Sequence, residues 1–416
     1  MTGESGSGKH RFKMPECDPE PTSSAAPHLV TKSLPAVGPV AATIPSAEMP
    51  RVLGIDIGGA NLKFATTHGD YGSTPFAMWL RPRELSDRLL ELAGCWPFCD
   101  TWAVTMTGEM ADIFSDRDDG VRQIASQVGT AAKVAGVSRL RFYRVDGRFV
   151  GLGETLRAPR AVASANWHAL ASWVARCLPS PSLLIDVGGT TTDIIPIAPA
   201  DKDWERPVAT SSRTDFDRLV AGELVYLGGV RTPVCALVDS LSFRGRRVPV
   251  MREVFATTDD CAVVLGLCPP APDDYGTSDG GPRTVAAAVN RLSRMIGLDG
   301  RDVDLDGAAE LATAVIAAAT ERLAEAIRRQ PDCHADRWVI SGHTADYFLP
   351  DLRRWFPGVK VERLVERLPP VAVAGTAGLT AAGDQIAAVD PRAAASRVAP
   401  ALAVAHLAAV AERSGR

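Results

Sequence analysis

Short apolar runs in this chain end at paired glycines, and one such arrangement occurs twice. Residues 51–57 carry a strand pattern, with Val52, Leu53, Ile55 and Ile57 around a single carboxylate, Asp56, and the run breaks at Gly58 and Gly59. A second apolar run over 62–67 follows, so the pair reads as a β-hairpin closed by a tight glycine turn. Residues 182–187 repeat the element, with Asp186 before Gly188 and Gly189, and 194–197 form the returning strand. Aligned, the copies read Gly-Ile-Asp-Ile-Gly-Gly-Ala-Asn and Leu-Ile-Asp-Val-Gly-Gly-Thr-Thr. They are offset by 130 positions, 56 to 186, about one domain length.

Between and after these hairpins the apolar period changes. Spacing of three to four residues predicts helices over 82–94, 120–134, 164–178, 284–298, 304–329 and 346–356. Compact apolar runs predict strands over 101–106, 141–145, 337–340 and 359–361. Strands alternating with helices after each hairpin indicate an α/β chain. The expected organisation is a Pro/Ser/Thr/Gly-rich disordered tail over 1–49, a first lobe over 50–180, a second lobe over 181–385 with an insertion at about 200–283, and an Ala-rich helical extension over 386–416.

Composition narrows the function more than the fold. The 416 residues are 46% hydrophobic and 23% charged, with a net charge of −4, an ordinary globular balance. A slightly acidic chain lacks the basic face that nucleic acid requires, so no nucleic-acid partner is expected. No run reaches the roughly 20 apolar residues of a membrane span, and no basic start precedes an apolar run. A cytoplasmic protein without a membrane partner is expected, and a homo-oligomer is left open. The eight cysteines include no Cys-x-x-Cys pair, which reads as reduced thiols rather than a metal or cluster site. Gly3 to Lys9 mimics a phosphate loop. His10 stands where the loop needs Ser or Thr, and there is no room for a preceding strand.

The doubled hairpin is the strongest chemical signal. Glycine turns let backbone N–H groups approach phosphate oxygens closely. A strand-end carboxylate tolerates a phosphate nearby only through a cation, usually magnesium with its waters. The candidate phosphate-binding residues are therefore Gly58, Gly59 and Asn61 in the first copy, and Gly188, Gly189, Thr190, Thr191 and Thr192 in the second. Asp56 and Asp186 are the candidate magnesium positions, and Lys63 on the returning strand is placed to reach a phosphate. Candidate bases are Glu109 first, then Asp193, then Asp112. Asp279 and Arg283, in a glycine-rich loop, and Ser341 and Gly342, after a strand, are candidate substrate contacts. His168 and His343 have no partner at metal-ligand spacing.

This constellation resembles the actin–sugar kinase–Hsp70 superfamily, with Gly54–Gly59 and Ile185–Asp193 as its two phosphate segments and Val339–Gly342 in the place of its adenosine segment. The resemblance implies a two-lobed, ribonuclease H-like α/β fold with a phosphate-binding cleft between the lobes. Asp-Val-Gly-Gly-Thr-Thr-Thr-Asp (186–193) is similar to the hydantoinase A/oxoprolinase group. Further strings resemble the branch of that group linked to tetrahydromethanopterin-dependent C1 transfer. They include Ala-Val-Thr-Met-Thr-Gly-Glu-Met-Ala-Asp (103–112), Ala-Asn-Trp-His-Ala-Leu-Ala (165–171), Gly-Glu-Leu-Val-Tyr (222–226), Arg-Thr-Pro-Val-Cys-Ala (231–236), Phe-Ala-Thr-Thr-Asp-Asp (255–260) and Ser-Asp-Gly-Gly-Pro-Arg-Thr (278–284).

That branch implies methanofuran biosynthesis, in which a furanylmethylamine diphosphate condenses with the phenol of a glutamylated tyramine, tyramine or tyrosine and pyrophosphate leaves. It implies small-molecule diphosphate and phenolic substrates, magnesium, and no need for ATP. Ser341-Gly342-His343 departs from the double-glycine form of the adenosine segment, which weighs against the main rival, an ATP-dependent kinase or ring-opening amidohydrolase. An actin-like scaffold or nucleotide-gated activator is the second rival.

Overall fold

The computed structural model describes residues 49–177, 182–197, 208, 210–330, 337–366 and 396–414. The expected tail with its phosphate-loop mimic, and the small-residue run at 373–378, lie outside the described residues.

The first lobe is built on a six-stranded sheet. The hairpin β1 (Val52–Ile57) and β2 (Asn61–Thr66) continues into β3 (Tyr71–Pro75), all antiparallel. The chain then runs through α1 (Leu85–Ala93) to β4 (Thr101–Met106), which lies parallel to β1 on its other side. α2 (Arg117–Val134) leads to β5 (Arg139–Tyr143), parallel to β4, and β6 (Phe149–Val150) closes the edge. The order is β3-β2-β1-β4-β5-β6. The sequence pattern missed β3 because Tyr71-Gly-Ser-Thr-Pro has no apolar run; pairing with β2 holds it. α3 (Leu152–Arg157) and α4 (Asn166–Cys177) complete this half.

The second lobe repeats the plan. β7 (Ser182–Val187) and β8 (Thr192–Ile197) form the hairpin, and after α5 (Asp215–Ala221) the short β9 (Leu224–Val225) adds the third antiparallel strand. α6 (Val234–Leu237), the ribbon β10 (Ser240–Phe243) with β11 (Arg246–Pro249), α7 (Thr258–Val264) and α8 (Val285–Arg294) come next. The long α9 (Leu305–Arg328) then leads to β12 (Arg337–Ser341), parallel to β7, and α10 (Leu349–Trp355) to β13 (Lys360–Arg363). The order β9-β8-β7-β12-β13 matches β3-β2-β1-β4-β5 strand for strand, which is the ribonuclease H-like arrangement used twice. The insertion begins later than expected. Residues 210–225 cap and extend the sheet, and the inserted elements follow β9, packing through α7 onto α8 and α9. The signal was hidden because β9 is two residues long.

Two helices join the sheets. α4 and α11 (Ala399–Arg413) pack on each other within one apolar cluster that also takes Val52, Ala65 and Ala103 from the first sheet and Leu184, Ile195 and Val339 from the second. The expected C-terminal extension is therefore integral to the core, since α11 lies across β1, β2 and β4. Its alanines allow the approach. A Cβ on Gly54, in the middle of β1, would stand 2.0 Å from the Ala401 carbonyl oxygen and 2.9 Å from the Ala405 methyl.

That contact gives a paired test. Gly54→Ala must push α11 off the sheet and should cost about 1–3 kcal/mol, read as a lowered thermal midpoint. Gly59→Ala meets nothing within 4 Å and should melt close to wild type.

Candidate active site

The register of each hairpin sets two charged residues opposite one another. In the first lobe Asp56 faces Lys63; in the second Asp186 faces Asp193. The equivalent positions thus hold an ion pair in one copy and two like charges in the other. Asp56 is almost fully buried, and its Oδ2 accepts from the Lys63 ammonium at 3.1 Å. Asp193 accepts from the buried Arg218 at 2.5 Å. Asp186 has no such cation of its own. Burial, with Asp193 beside it, pushes its carboxyl up to about 6. The two hairpins converge: burial opposes the charge on Lys63, but Asp56 and then Asp186 and Asp193 hold its pKa above the ordinary lysine value. Four of the expected residues, Asp56, Lys63, Asp186 and Asp193, therefore share one site.

The two turns are also alike. Gly58 N–H donates to the Asn61 carbonyl at 3.0 Å, and Gly188 N–H to the Thr191 carbonyl at 2.9 Å. These bonds shape the turns, so Gly58, Gly188, Asn61 and Thr191 contribute geometry through the backbone. The N–H groups of Gly59, Ala60, Gly189 and Thr190 donate to no acceptor among the described residues. They are the ones free for an anion.

The chemistry of this donor set suits magnesium. Asp56 Oδ1 is buried without a hydrogen-bond partner among the described residues, where three carboxylates have Lys63 and Arg218 as compensating cations. Magnesium is held by one or two carboxylates, waters and substrate phosphates rather than by an all-protein cage. Asp56 and Asp186 are the residues that fit it. Among the described residues no group of three or more His, Cys, Asp or Glu is arranged to hold a metal without such help.

Glu109 lies beside the first turn. It follows Gly108, where a Cβ would meet the Gly58 and Ile57 carbonyl oxygens at 3.0 and 3.2 Å. Its side chain is buried; Oε1 accepts from the Ser164 hydroxyl at 2.8 Å, and Oε2 has no partner. Burial holds its carboxyl above the ordinary value. Ser164 also lies 3.1 Å from Asp215, which pairs with Arg117 at 2.6 Å. Arg218, one turn along α5, stacks 4.1 Å from the Trp167 ring. A polar chain thus runs from Glu109 through Ser164, Asp215 and Arg218 to Asp193, linking both lobes. Asp112, the third candidate base, is exposed.

Several expected residues have other work. Thr192 is fully buried, and its hydroxyl donates to the Leu227 carbonyl at 2.7 Å, so its proton is not free for a phosphate. Arg283 spends both faces of its guanidinium on Asp259, Pro269 and Cys268. Asp279 pairs with the buried Arg291, which also holds Asp260. These are ties within the insertion; a glycine-rich loop with charges carried no signal of those partners. Gly342 has φ +88°, and a Cβ there would meet the Val187 carbonyl at 2.0 Å, so its role is steric. Ser341 is buried beside Asp186 on the adjoining strand.

One residue of the site was missed, and another, His343, was weighed only as a metal ligand. Thr105 on β4 stands against Asp56 as Ser341 stands against Asp186, a symmetry visible only once the strands are paired. His343 sits at the second turn, its ring 4.0 Å from where a Gly189 Cβ would be. Burial, with Arg397 and Lys63 near, pushes it down to about 3, so it is neutral. His168 is a core residue bonded to Tyr143 at 3.0 Å. Among the described residues no helix is long and apolar enough to cross a membrane.

Comparison with known proteins bears on the same segments. Residues 100–341, more than half of the chain, match the hydantoinase/oxoprolinase family. The chain is 33% identical over 295 residues to (4-{4-[2-(gamma-L-glutamylamino)ethyl]phenoxymethyl}furan-2-yl)methanamine synthase of Methanocaldococcus jannaschii, covering 70% of this chain and 83% of that one. The Methanococcus vannielii protein of the same name is 32% identical over 142 residues, covering 34% of this chain and 61% of that one. Among solved structures, the activator of 2-hydroxyisocaproyl-CoA dehydratase from Clostridium difficile aligns over 88% of this chain and 96% of its own, at 10% identity and a TM-score of 0.40. Matched across its second hairpin and the end of β12, and a third identical to a synthase over most of that enzyme's length, the chain belongs to the hydantoinase/oxoprolinase family.

Proposed function

We propose that this chain is a transferase that forms an aryl ether. It joins a furanylmethylamine diphosphate to the phenol of a glutamylated tyramine, tyramine or tyrosine and releases pyrophosphate, a step toward a methanofuran-type cofactor. The observation that carries the reading is the product named for the M. jannaschii relative, a phenoxymethyl-furan, whose ether bond joins a phenol oxygen to a furanylmethyl carbon. Such a reaction belongs inside the cell, with its soluble substrates.

The chemistry asks for little covalent participation. The bond from the methyl carbon to the diphosphate oxygen breaks, the phenol oxygen bonds to that carbon, and the phenol proton must leave. Positive charge on the carbon is delocalised into the furan ring. The charge to be stabilised is that of the leaving group, which preorganised donors serve best. The free N–H groups of Gly59, Ala60, Gly189 and Thr190 and the ammonium of Lys63 are suited to hold it. Magnesium bound to Asp56 and Asp186 would supply further electrostatic stabilisation of the pyrophosphate. Glu109 takes the phenol proton. A free phenol has a pKa of about 10, so a carboxylate raised by burial is a better match than an ordinary one. Asp193, held by Arg218, positions Asp186 and Lys63.

Product analysis tests the reading. The purified chain with magnesium, the furanylmethylamine diphosphate and each phenol should release pyrophosphate and form the ether equally with and without ATP. ADP without ether would instead support the ATP-dependent kinase or amidohydrolase. Lys63→Ala and Glu109→Gln should each lower kcat roughly a hundredfold or more.

Asp186 gives a pH test. Its folded pKa, about 6, lies above its unfolded value near 4, so the folded state binds the extra proton. Its favourable contribution is complete below about pH 4 and lost as pH rises through 6. Asp186→Asn should therefore stabilise the metal-free protein at pH 7, by roughly 1–3 kcal/mol, with little effect at pH 4. The same substitution should abolish turnover.

A further inference from the structure

Arg231 and Trp79 bring the loops that brace the two glycine turns within reach of each other. On the second lobe, the N–H groups of Val230 and Arg231 donate to the Gly189 carbonyl at 3.0 and 2.8 Å. On the first, Met78 N–H donates to the Gly59 carbonyl at 2.9 Å and Phe76 N–H to that of Ala60 at 2.9 Å, which fixes the neighbouring Trp79. Each turn is thus braced by a loop, and the two loops carry the exposed side chains of Trp79 and Arg231. The Arg231 guanidinium lies 6.0 Å from the centre of the Trp79 ring, so the arginine reaches from the second turn to the lip of the first. Trp79 remains 39% exposed, and Arg231 is exposed and paired with no carboxylate among the described residues.

We propose that Arg231 and Trp79 form the substrate clamp of this cleft, Arg231 binding the diphosphate and Trp79 stacking on the aromatic ring attached to it. The inference rests on the ether-forming reading for the identity of that ring, and only there. An unpaired guanidinium on a residue whose backbone braces the second turn is suited to a multiply charged phosphate, which it can grip in bidentate fashion. An indole at the same mouth offers a flat face to a furan or phenol. Contact between the two in the free protein keeps each oriented toward the other's ligand half. The pair also accounts for discrimination: inorganic phosphate engages only the arginine, whereas an aryl-methyl diphosphate engages both.

Calorimetric titration of the full chain in magnesium buffer separates the two contributions. The ligands are inorganic pyrophosphate and the furanylmethylamine diphosphate, without acceptor. Arg231→Ala should weaken both ligands about tenfold to a hundredfold, and Arg231→Lys should recover part of the loss. Trp79→Ala should leave pyrophosphate within about threefold while weakening the organic diphosphate about tenfold, and Trp79→Phe should restore it. Both side chains are exposed, so unchanged thermal midpoints are expected and serve as the folding control. Unchanged pyrophosphate affinity in Arg231→Ala, or equal effects of Trp79→Ala on both ligands, would overturn the clamp. A wild type that forms ether while Arg231→Ala binds as tightly defeats the clamp alone. A wild type that forms no ether but shows the predicted binding losses defeats the ether reading and leaves the clamp standing.

Discussion

The structure turns on one electrostatic imbalance. Two copies of the same hairpin place a charge pair at the same register position, and the pair is attractive in one copy and repulsive in the other. Asp56 faces Lys63 across the strands, while Asp186 faces Asp193. Like charges directly opposed in a sheet are destabilising, and burial makes them more so. The fold answers with Arg218, which takes Asp193 and is itself wedged against Trp167. Asp186 has no such partner among the described residues, and burial, with Asp193 beside it, pushes that carboxyl up to about 6. Perturbed groups of this kind concentrate where chemistry happens. A cation-bridged diphosphate is the sort of ligand that restores the balance.

Around that point the architecture is a device for bringing two sheet ends together. α4 and α11 share a core with both sheets, and the approach of α11 to Gly54 requires that β1 present no side chain there. Gly342 does the same service at the end of β12, where it lies on the backbone of Val187. The glycines of this chain therefore divide into two kinds. Gly54 and Gly342 are empty because protein fills the space, whereas Gly59 is empty because nothing in the protein does. Ser164, Asp215 and Arg117 tie the lobes at the level of Glu109, so that buried carboxyl is held by residues of both halves.

Much of this was legible in the sequence because the hairpin repeats. The 130-residue offset between Asp56 and Asp186 carried the duplicated lobe, both turns and the identity of the converging residues. What escaped depended on tertiary pairing. β3 and β9 have too few apolar residues to announce themselves, and β9 set the true start of the insertion. Thr192 reads like its neighbours Thr190 and Thr191, but strand alternation buries it under Leu227. Arg283 and Asp279 look like loop charges until Asp259 and Arg291 are seen to hold them. Thr105 and the facing pair Arg231 and Trp79 come from segments far apart in the chain, so no local spacing marks them.

The central claim is that the two turns hold one diphosphate between them. The most direct measurement is a crystal structure of the full chain soaked with magnesium and pyrophosphate. The account predicts one pyrophosphate bridging the Gly59–Ala60 and Gly189–Thr190 N–H groups, with magnesium between it and the carboxylates of Asp56 and Asp186. Pyrophosphate bound to one turn only, or outside the cleft altogether, would contradict it.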